Sequence, residues 1–319
     1  MSSPSVALRI GRKLVMEDHP RAAEVLQNII DSFPSDEAAL TARILTGLLH
    51  IYRGDDMQAE SIYHDILSKY AQDPRLPQAI SLMAEGYLDQ AIAIEQDTAK
   101  RIGSANYAKM VREQGRSEVV KKYCRRAIEK WQIIIQDLPP TAHNTVQAWY
   151  FTGVVYRRHL GEPEKALPYY QKVADEWPDY QYAWSAQSMI GLCYENMIEK
   201  GKISREAAAP HIEQAYKTAI EKYPNSPLDA QTILKLARLS FDSGQWEQAI
   251  SYYGQFLEKY PNSRQWANAL LSMGTAFEKN GQPLLAADLY RSYLGITGLD
   301  DRHKRTIRAR IKRLTEVEK

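Results

Sequence analysis

Cysteine is nearly absent from this chain, with only Cys124 and Cys193 among 319 residues, and phenylalanine is scarce at five. No Cys-x-x-Cys pair exists to hold a metal or run a dithiol cycle, so both cysteines read as packed thiols. No run of eighteen apolar residues occurs, which excludes a membrane-spanning helix in the sequence as it stands. Met1-Ser2-Ser3-Pro4 leads straight into the amphipathic stretch Val6–Met16, so a soluble chain without signal peptide or anchor is expected. The formal net charge is only +2, which removes any global attraction to nucleic acid or acidic membranes and leaves electrostatic specificity to local clusters. Strand-type alternation and hairpin dipeptides are missing as well, so no sheet is expected.

Catalytic constellations are equally thin. The seven histidines, His19, His50, His64, His143, His159, His211 and His303, show no H-E-x-x-H or other ligand spacing. His50 and His64 could meet across one helix pair, where a packed, hydrogen-bonded histidine is the simpler reading than a metal site. Gly201-Lys202 fails as a phosphate loop: Asn196 stands where the first glycine belongs, and Ile203 where Ser or Thr would ligate magnesium. There is no G-x-S-x-G, and no carboxylate pair stands out as an acid/base dyad. The expectation is a non-enzyme with no cofactor and no metal.

What the chain does have is a twelve-residue interval from a small residue to a proline. Ala22 precedes Pro34, Ala127 precedes Pro139, Ala166 precedes Pro178 and Ala249 precedes Pro261. An aromatic follows the alanine of most copies by four residues: Tyr63, Trp131, Tyr170, Tyr253 and Tyr290. Residues four apart share a helix face, so the alanine gives room where the ring fills it. Gly47, Gly153, Gly191 and Gly274 fall where a first helix should let its partner's backbone approach. Gly54, Gly244 and Gly281 fall in the turn between helices, and Pro178, Pro224 and Pro261 stop the second helix. Upstream lie Trp149-x-x-Thr152-Gly153-x-x-Tyr156 and Ile190-Gly191-x-x-Tyr194. Together these elements resemble the tetratricopeptide repeat, W-x2-L-G-x2-Y…A-x3-F…P.

The resemblance implies an all-α fold, an α-α superhelical solenoid of about seven helix pairs plus a C-terminal capping helix. One array over 1–319 is expected, because a solenoid has no single core to outgrow. The pairs fall at about 5–34, 37–72, 76–139, 146–179, 183–225, 229–262 and 266–298. The cap, 300–316, takes Asp300 or Asp301 as N-cap and Ile307, Ile311 and Leu314 as its apolar stripe. Twenty tyrosines suit repeat faces whose rings reach from core to water.

Two pairs depart from the period. In the third, Met83-Ala84-x-x-Tyr87 matches the first helix, yet Ala127 arrives about thirty residues late; the insertion 88–118 is expected to form lengthened helices with a bend at Gly103-Ser104 that project beyond the array. From 97 to 126 Lys100, Arg101, Lys109, Arg112, Arg116, Lys121, Lys122, Arg125 and Arg126 oppose only Asp97, Glu113 and Glu118. That is either a solvated basic face or a surface for an acidic partner, with Lys100, Arg101, Lys109, Arg112 and Arg116 as its core; limited aromatic interleaving makes nucleic acid unlikely. The fifth pair is long around Glu199–Pro210 and reads as a longer loop. The run Arg302–Arg313 holds seven basic side chains and no acid, a soluble cap or a contact for an anionic surface.

By resemblance, the function is protein–protein interaction: first helices line a concave groove that holds a partner's peptide or helix, without catalysis. The chaperone-tail carboxylate clamp, Lys-x3-Asn, is missing; its positions are Tyr150 and Val154, Ser188 and Leu192, Leu234 and Arg238. The candidate partner-binding residues are Tyr150, Phe151, Val154, Arg157, Arg158, Leu192, Lys235 and Arg238, favouring an apolar segment with acidic flanks. Alternatives are an array binding nucleic acid or an anionic surface through the insertion and last helix, or an accessory domain of an enzyme complex. Lys222-Tyr223-Pro224-Asn225-Ser226 and Lys259-Tyr260-Pro261-Asn262-Ser263 look like linkers of bacterial envelope tetratricopeptide proteins, such as outer-membrane assembly lipoproteins and TolA-binding factors. That likeness points to bacterial periplasm or envelope before cytoplasm.

Overall fold

The computed structural model describes residues 4–34, 37–137, 142–295 and 301–316, without the side chains of residues 142, 301 and 303. Those residues form sixteen α-helices and one π-helical segment, with no strand among them. Their contacts divide into two units, Met1–Val173 and Ala174–Lys319. Pro139 and Asp300 lie outside the described residues, as does the side chain of Asp301.

In the first unit the helices are α1 (Pro4–Met16), α2 (Ala22–Ser32), α3 (Glu37–Arg53), α4 (Asp56–Lys69), α5 (Leu76–Ile102), α6 (Ser104–Gln114), α7 (Glu118–Asp137) and α8 (Ala142–Val154). The π-helical segment Val155–Leu160 and α9 (Pro163–Glu176) follow, the last turn of α9 crossing the unit boundary. The second unit holds α10 (Ala183–Glu199), α11 (Arg205–Lys222), α12 (Asp229–Asp242), α13 (Trp246–Lys259), α14 (Trp266–Lys279), α15 (Pro283–Leu294) and α16 (Asp301–Glu316). Each helix of this unit packs chiefly on the next in sequence, the contact pattern of stacked helix pairs.

The alanine-to-aromatic spacing is the packing unit. Ala59, Ala127, Ala166, Ala249 and Ala286 are all fully buried, and so, nearly, are the rings four residues on. The first-helix glycines work differently from the expected backbone approach. A Cβ on Gly191 would meet the Tyr216 ring at 2.5 Å, and one on Gly274 would meet the Tyr290 ring at 2.6 Å. These glycines therefore admit the partner helix's tyrosine, not its main chain. Gly244 and Gly281 take φ of +74° and +72° in the turn between helices, a conformation that disfavours any side chain.

The Lys-Tyr-Pro-Asn-Ser linkers have structural work to do. Asp229 opens α12, only 1% exposed, where a carboxylate suits the positive helix end. It accepts hydrogen bonds from Lys259 Nζ and, at 2.5 Å, from the Tyr260 hydroxyl, tying the end of a repeat to its beginning. Tyr223 of the other linker donates to the Pro178 carbonyl at 3.1 Å. At the chain's end, Ile307 and Leu314 bury against Leu270, Tyr290 and Tyr293, with Ile311 partly buried beside them. Arg310 and Arg313 donate to Glu278 at 2.6 and 2.7 Å, so two of the seven cations of α16 are bound to α14.

The insertion is more deeply wired than expected. Leu88 and Ala91 are buried, and α5 runs alongside α7 instead of projecting. No residue of α6 is fully buried, and it follows a break at Gly103 with φ +86°.

Candidate binding cleft

Within the second unit, α10 and α12 leave an open cleft of about 480 Å³ between them, in the size range of small-ligand sites. Ile198, Leu234 and Leu239 are half-buried and Ile212 of α11 is buried, so the cleft has an apolar floor. Three carboxylates, Glu195, Glu199 and Asp242, and three cations, Arg205, Lys235 and Arg238, rim it, with Gln231 and Gln265. A smaller hollow lined by Ser188, Met189, Leu192 and Leu228 adjoins it, sharing Gln231 and Lys235. Three of the expected partner-binding residues, Leu192, Lys235 and Arg238, are thus brought together here.

The charges at the two ends are held differently. At one end Lys235 forms a close ion pair with Glu195, which also accepts the Tyr216 hydroxyl at 2.9 Å, while the ammonium lies 5.7 Å from the centre of the Tyr216 ring. This cation is part-buried and already neutralised. At the other end Arg238 Nε and Arg205 Nη1 each lie 3.6 Å from the same oxygen, Asp242 Oδ2, beyond ordinary hydrogen-bond distance. The two guanidinium side chains are 77% and 62% exposed. The expected positive rim is therefore confined to the Arg205–Arg238 end.

Sequence spacing missed Glu195, Ile198, Arg205, Ile212 and Asp242 as lining residues, and placed Leu234 only as a clamp-equivalent position. A signal was present in the extra residues between α10 and α11. They end in Ser204, which caps α11 by accepting from Ala207 N at 3.2 Å and so sets Arg205 at the cleft wall. What reads as a longer loop builds one side of the cleft.

The other candidate residues lie in the first unit. Phe151 stacks on Trp131 with centroids 5.8 Å apart, and Tyr150 sits edge-on to Phe151 and Tyr170. These rings serve packing among α7, α8 and α9. Val154 is half-buried, Arg158 is exposed, and Arg157 is half-buried. Nearby, His159 in the π-helical segment is 5% exposed, with Nδ1 3.3 Å from Glu95 Oε2. Arg116 pairs closely with Glu95, and Tyr107 donates to it at 2.9 Å. Burial alone would raise the Glu95 carboxyl, but His159, Arg116 and Tyr107 outweigh it and hold the group at about 2. Arg116 is thus a brace inside the fold, whereas Lys100, Arg101, Lys109 and Arg112 are exposed, Arg101 beside Asp97 at 3.2 Å.

His50 Nδ1 lies 3.2 Å from Asp55 Oδ2 and His64 packs edge-on to Tyr63, so the two histidines do not form a joint site. Among the described residues no group of three or more His, Cys, Asp or Glu side chains could hold a metal ion. Cys124 and Cys193 are both buried, and burial pushes the Cys124 thiol up to about 12. No described helix is long and apolar enough to cross a membrane.

Helix pairs with this packing define an all-α repeat protein. Tetratricopeptide repeat models match residues 113–180 and 231–263, so the chain carries tetratricopeptide repeats in both units. Such repeats generally mediate protein–protein interactions and are generally non-catalytic. No curated protein sequence matches the chain. Among solved structures, the chain is similar to PilW, a widely conserved type IV pilus biogenesis factor, at 15% identity and a TM-score of 0.43, over 86% of this chain and 100% of that one. A tetratricopeptide repeat protein from Parabacteroides merdae is 13% identical with a TM-score of 0.41, over 98% and 99% of the two chains. The MamA protein is 19% identical with a TM-score of 0.40, over 55% of this chain and 82% of its own.

Proposed function

We propose that the chain is a non-catalytic scaffold whose second unit holds a partner's peptide or helix in the cleft between α10 and α12. The observation that carries this reading is the apolar floor of Ile198, Ile212, Leu234 and Leu239, open to solvent and rimmed by charge. Leu234 and Leu239 sit half-buried where a core side chain would be covered, so an apolar anchor entering the cleft gains burial without displacing the fold. The favoured partner has an apolar core with acid on its flank, because the exposed cations gather at the Arg205–Arg238 end. The first-unit candidates around Tyr150 are assigned to packing in this reading.

Selection of a displayed random-peptide library on the full chain, with a parallel selection on Leu234→Asp, tests it. Peptides enriched on the wild type should share an apolar anchor and lose about 1–2 kcal/mol or more of binding on the variant. Equal binding to both proteins, with both folded by circular dichroism, removes the cleft as the site. A bacterial envelope setting is the part of the proposal carried by the two linkers alone, and fractionation of cells expressing the native gene decides it.

A further inference from the structure

Asp242 and Arg205 both sit at the helix end that disfavours their charge. Asp242 is the last residue of α12, where the helix dipole is negative, and Arg205 is the first residue of α11, where it is positive. Each charge is unfavourable to its own helix, yet the two face one another across the mouth of the cleft at 3.6 Å. Arg238, one turn before Asp242 on α12, brings a second guanidinium to the same carboxylate oxygen, also at 3.6 Å. Two exposed cations therefore share one loosely held acid beside an apolar floor. Where a local rule is broken twice at one place, a functional use of the place is the ordinary reason.

Resting on the reading of this cleft as a peptide site, we infer that Arg205 and Arg238 form a subsite for an acidic side chain of the bound partner, and that Asp242 occupies it in the free protein as an internal stand-in. The partner's Asp or Glu displaces Asp242 from between the guanidiniums and binds both, each planar fork able to give two parallel N–H···O contacts. Its neighbouring apolar side chain lies on Leu234 and Leu239. No bond is made or broken; one carboxylate replaces another. The Lys235 end offers no such exchange, because its ammonium is part-buried against Glu195 and the Tyr216 ring.

The signs of the variants separate this from generic charge attraction. The probes are two capped peptides, acetyl-Asp-Glu-Leu-Leu-Asp-Glu-amide and its counterpart with Asn and Gln in place of the acids, titrated into the full chain by calorimetry. The acidic peptide should bind the wild type about three- to tenfold tighter than the amide peptide. Asp242→Asn should widen the acidic peptide's advantage over the amide peptide by about threefold, since it removes the competitor. Arg205→Gln and Arg238→Gln should each abolish most of the acid preference without altering the melting curve. Equal binding of both peptides, lost together in Leu234→Asp, leaves the cleft as a peptide site and overturns the subsite. An unchanged or narrower acidic advantage in Asp242→Asn overturns the stand-in. Binding of neither peptide to the wild type overturns subsite and cleft reading together.

Discussion

The two places where the repeat period is broken end in opposite arrangements. In the first unit the insertion turns one charge pair inward: Glu95 is held by Arg116, Tyr107 and His159, while Lys100, Arg101, Lys109 and Arg112 stay exposed. In the second unit the extra residues before α11 set Arg205 at an open cleft, where it meets Asp242 only loosely. Extra length in this array builds a brace where its polar groups find one another and an open charged rim where they are left facing space. The basic count that drew attention to the insertion is a poor guide for that reason, because a cation's partner matters more than its number.

The largest effect that follows from the comparison is in the brace. Deleting 88–118 removes buried Leu88 and Ala91 with Glu95, so the first unit should lose its cooperative melt, whereas excising 104–114 alone, which has no fully buried residue and takes only Tyr107 from the brace, should leave the melt cooperative. Glu95→Ala strands Arg116 and His159 and should cost about 3 kcal/mol in denaturant unfolding. A loss below half of that makes the insertion as peripheral as its composition implies.

Next comes the packing shared by both units. Gly191→Ala drives a Cβ against the Tyr216 ring and should cost about 1–3 kcal/mol, measured by chemical denaturation. The same substitution at Gly153, where the Tyr170 ring is 3.1 Å from the added atom, should cost less. Reversal of that order contradicts the ring-against-glycine account.

The brace should also show in pH dependence. The Glu95 carboxyl sits at about 2 in the folded protein against an ordinary value of 4.5. A depressed folded value means its stabilisation is fully present above the ordinary value and is lost as pH falls through 4.5 towards 2. Plotted against pH, stability should therefore fall more steeply between pH 5 and about 2 in the wild type than in Glu95→Gln. Parallel curves for the two proteins remove the linkage. The smallest effect belongs to the exposed cations: Lys109→Glu and Arg112→Glu should each change stability by under about 0.5 kcal/mol.

Most of the fold is legible in the sequence because the alanine-aromatic spacing and the turn glycines are local signals read within a single helix pair. Gly191 and Tyr216 show where that reading stops: position locates the glycine, but only the packed pair shows that a ring, not a backbone, fills the gap. The cleft is less legible. Lys235 and Arg238 stand at repeat positions that face it, whereas Arg205 reaches it through a loop whose length, not whose sequence, carries the information. Asp242 carries no motif; its meaning comes from two arginines on different helices. Arg116 is indistinguishable from its basic neighbours until Glu95, twenty-one residues away, is placed beside it.

The central claim is that the second-unit cleft, and not the basic insertion, receives the partner. Hydrogen exchange of the full chain with and without a peptide enriched by the selection tests it most directly, because backbone protection reports both regions in one experiment. Slowed exchange is expected in 195–212 and 231–242 on binding, with 100–116 unchanged. Protection gained in 100–116 while the cleft helices stay as they were would contradict it.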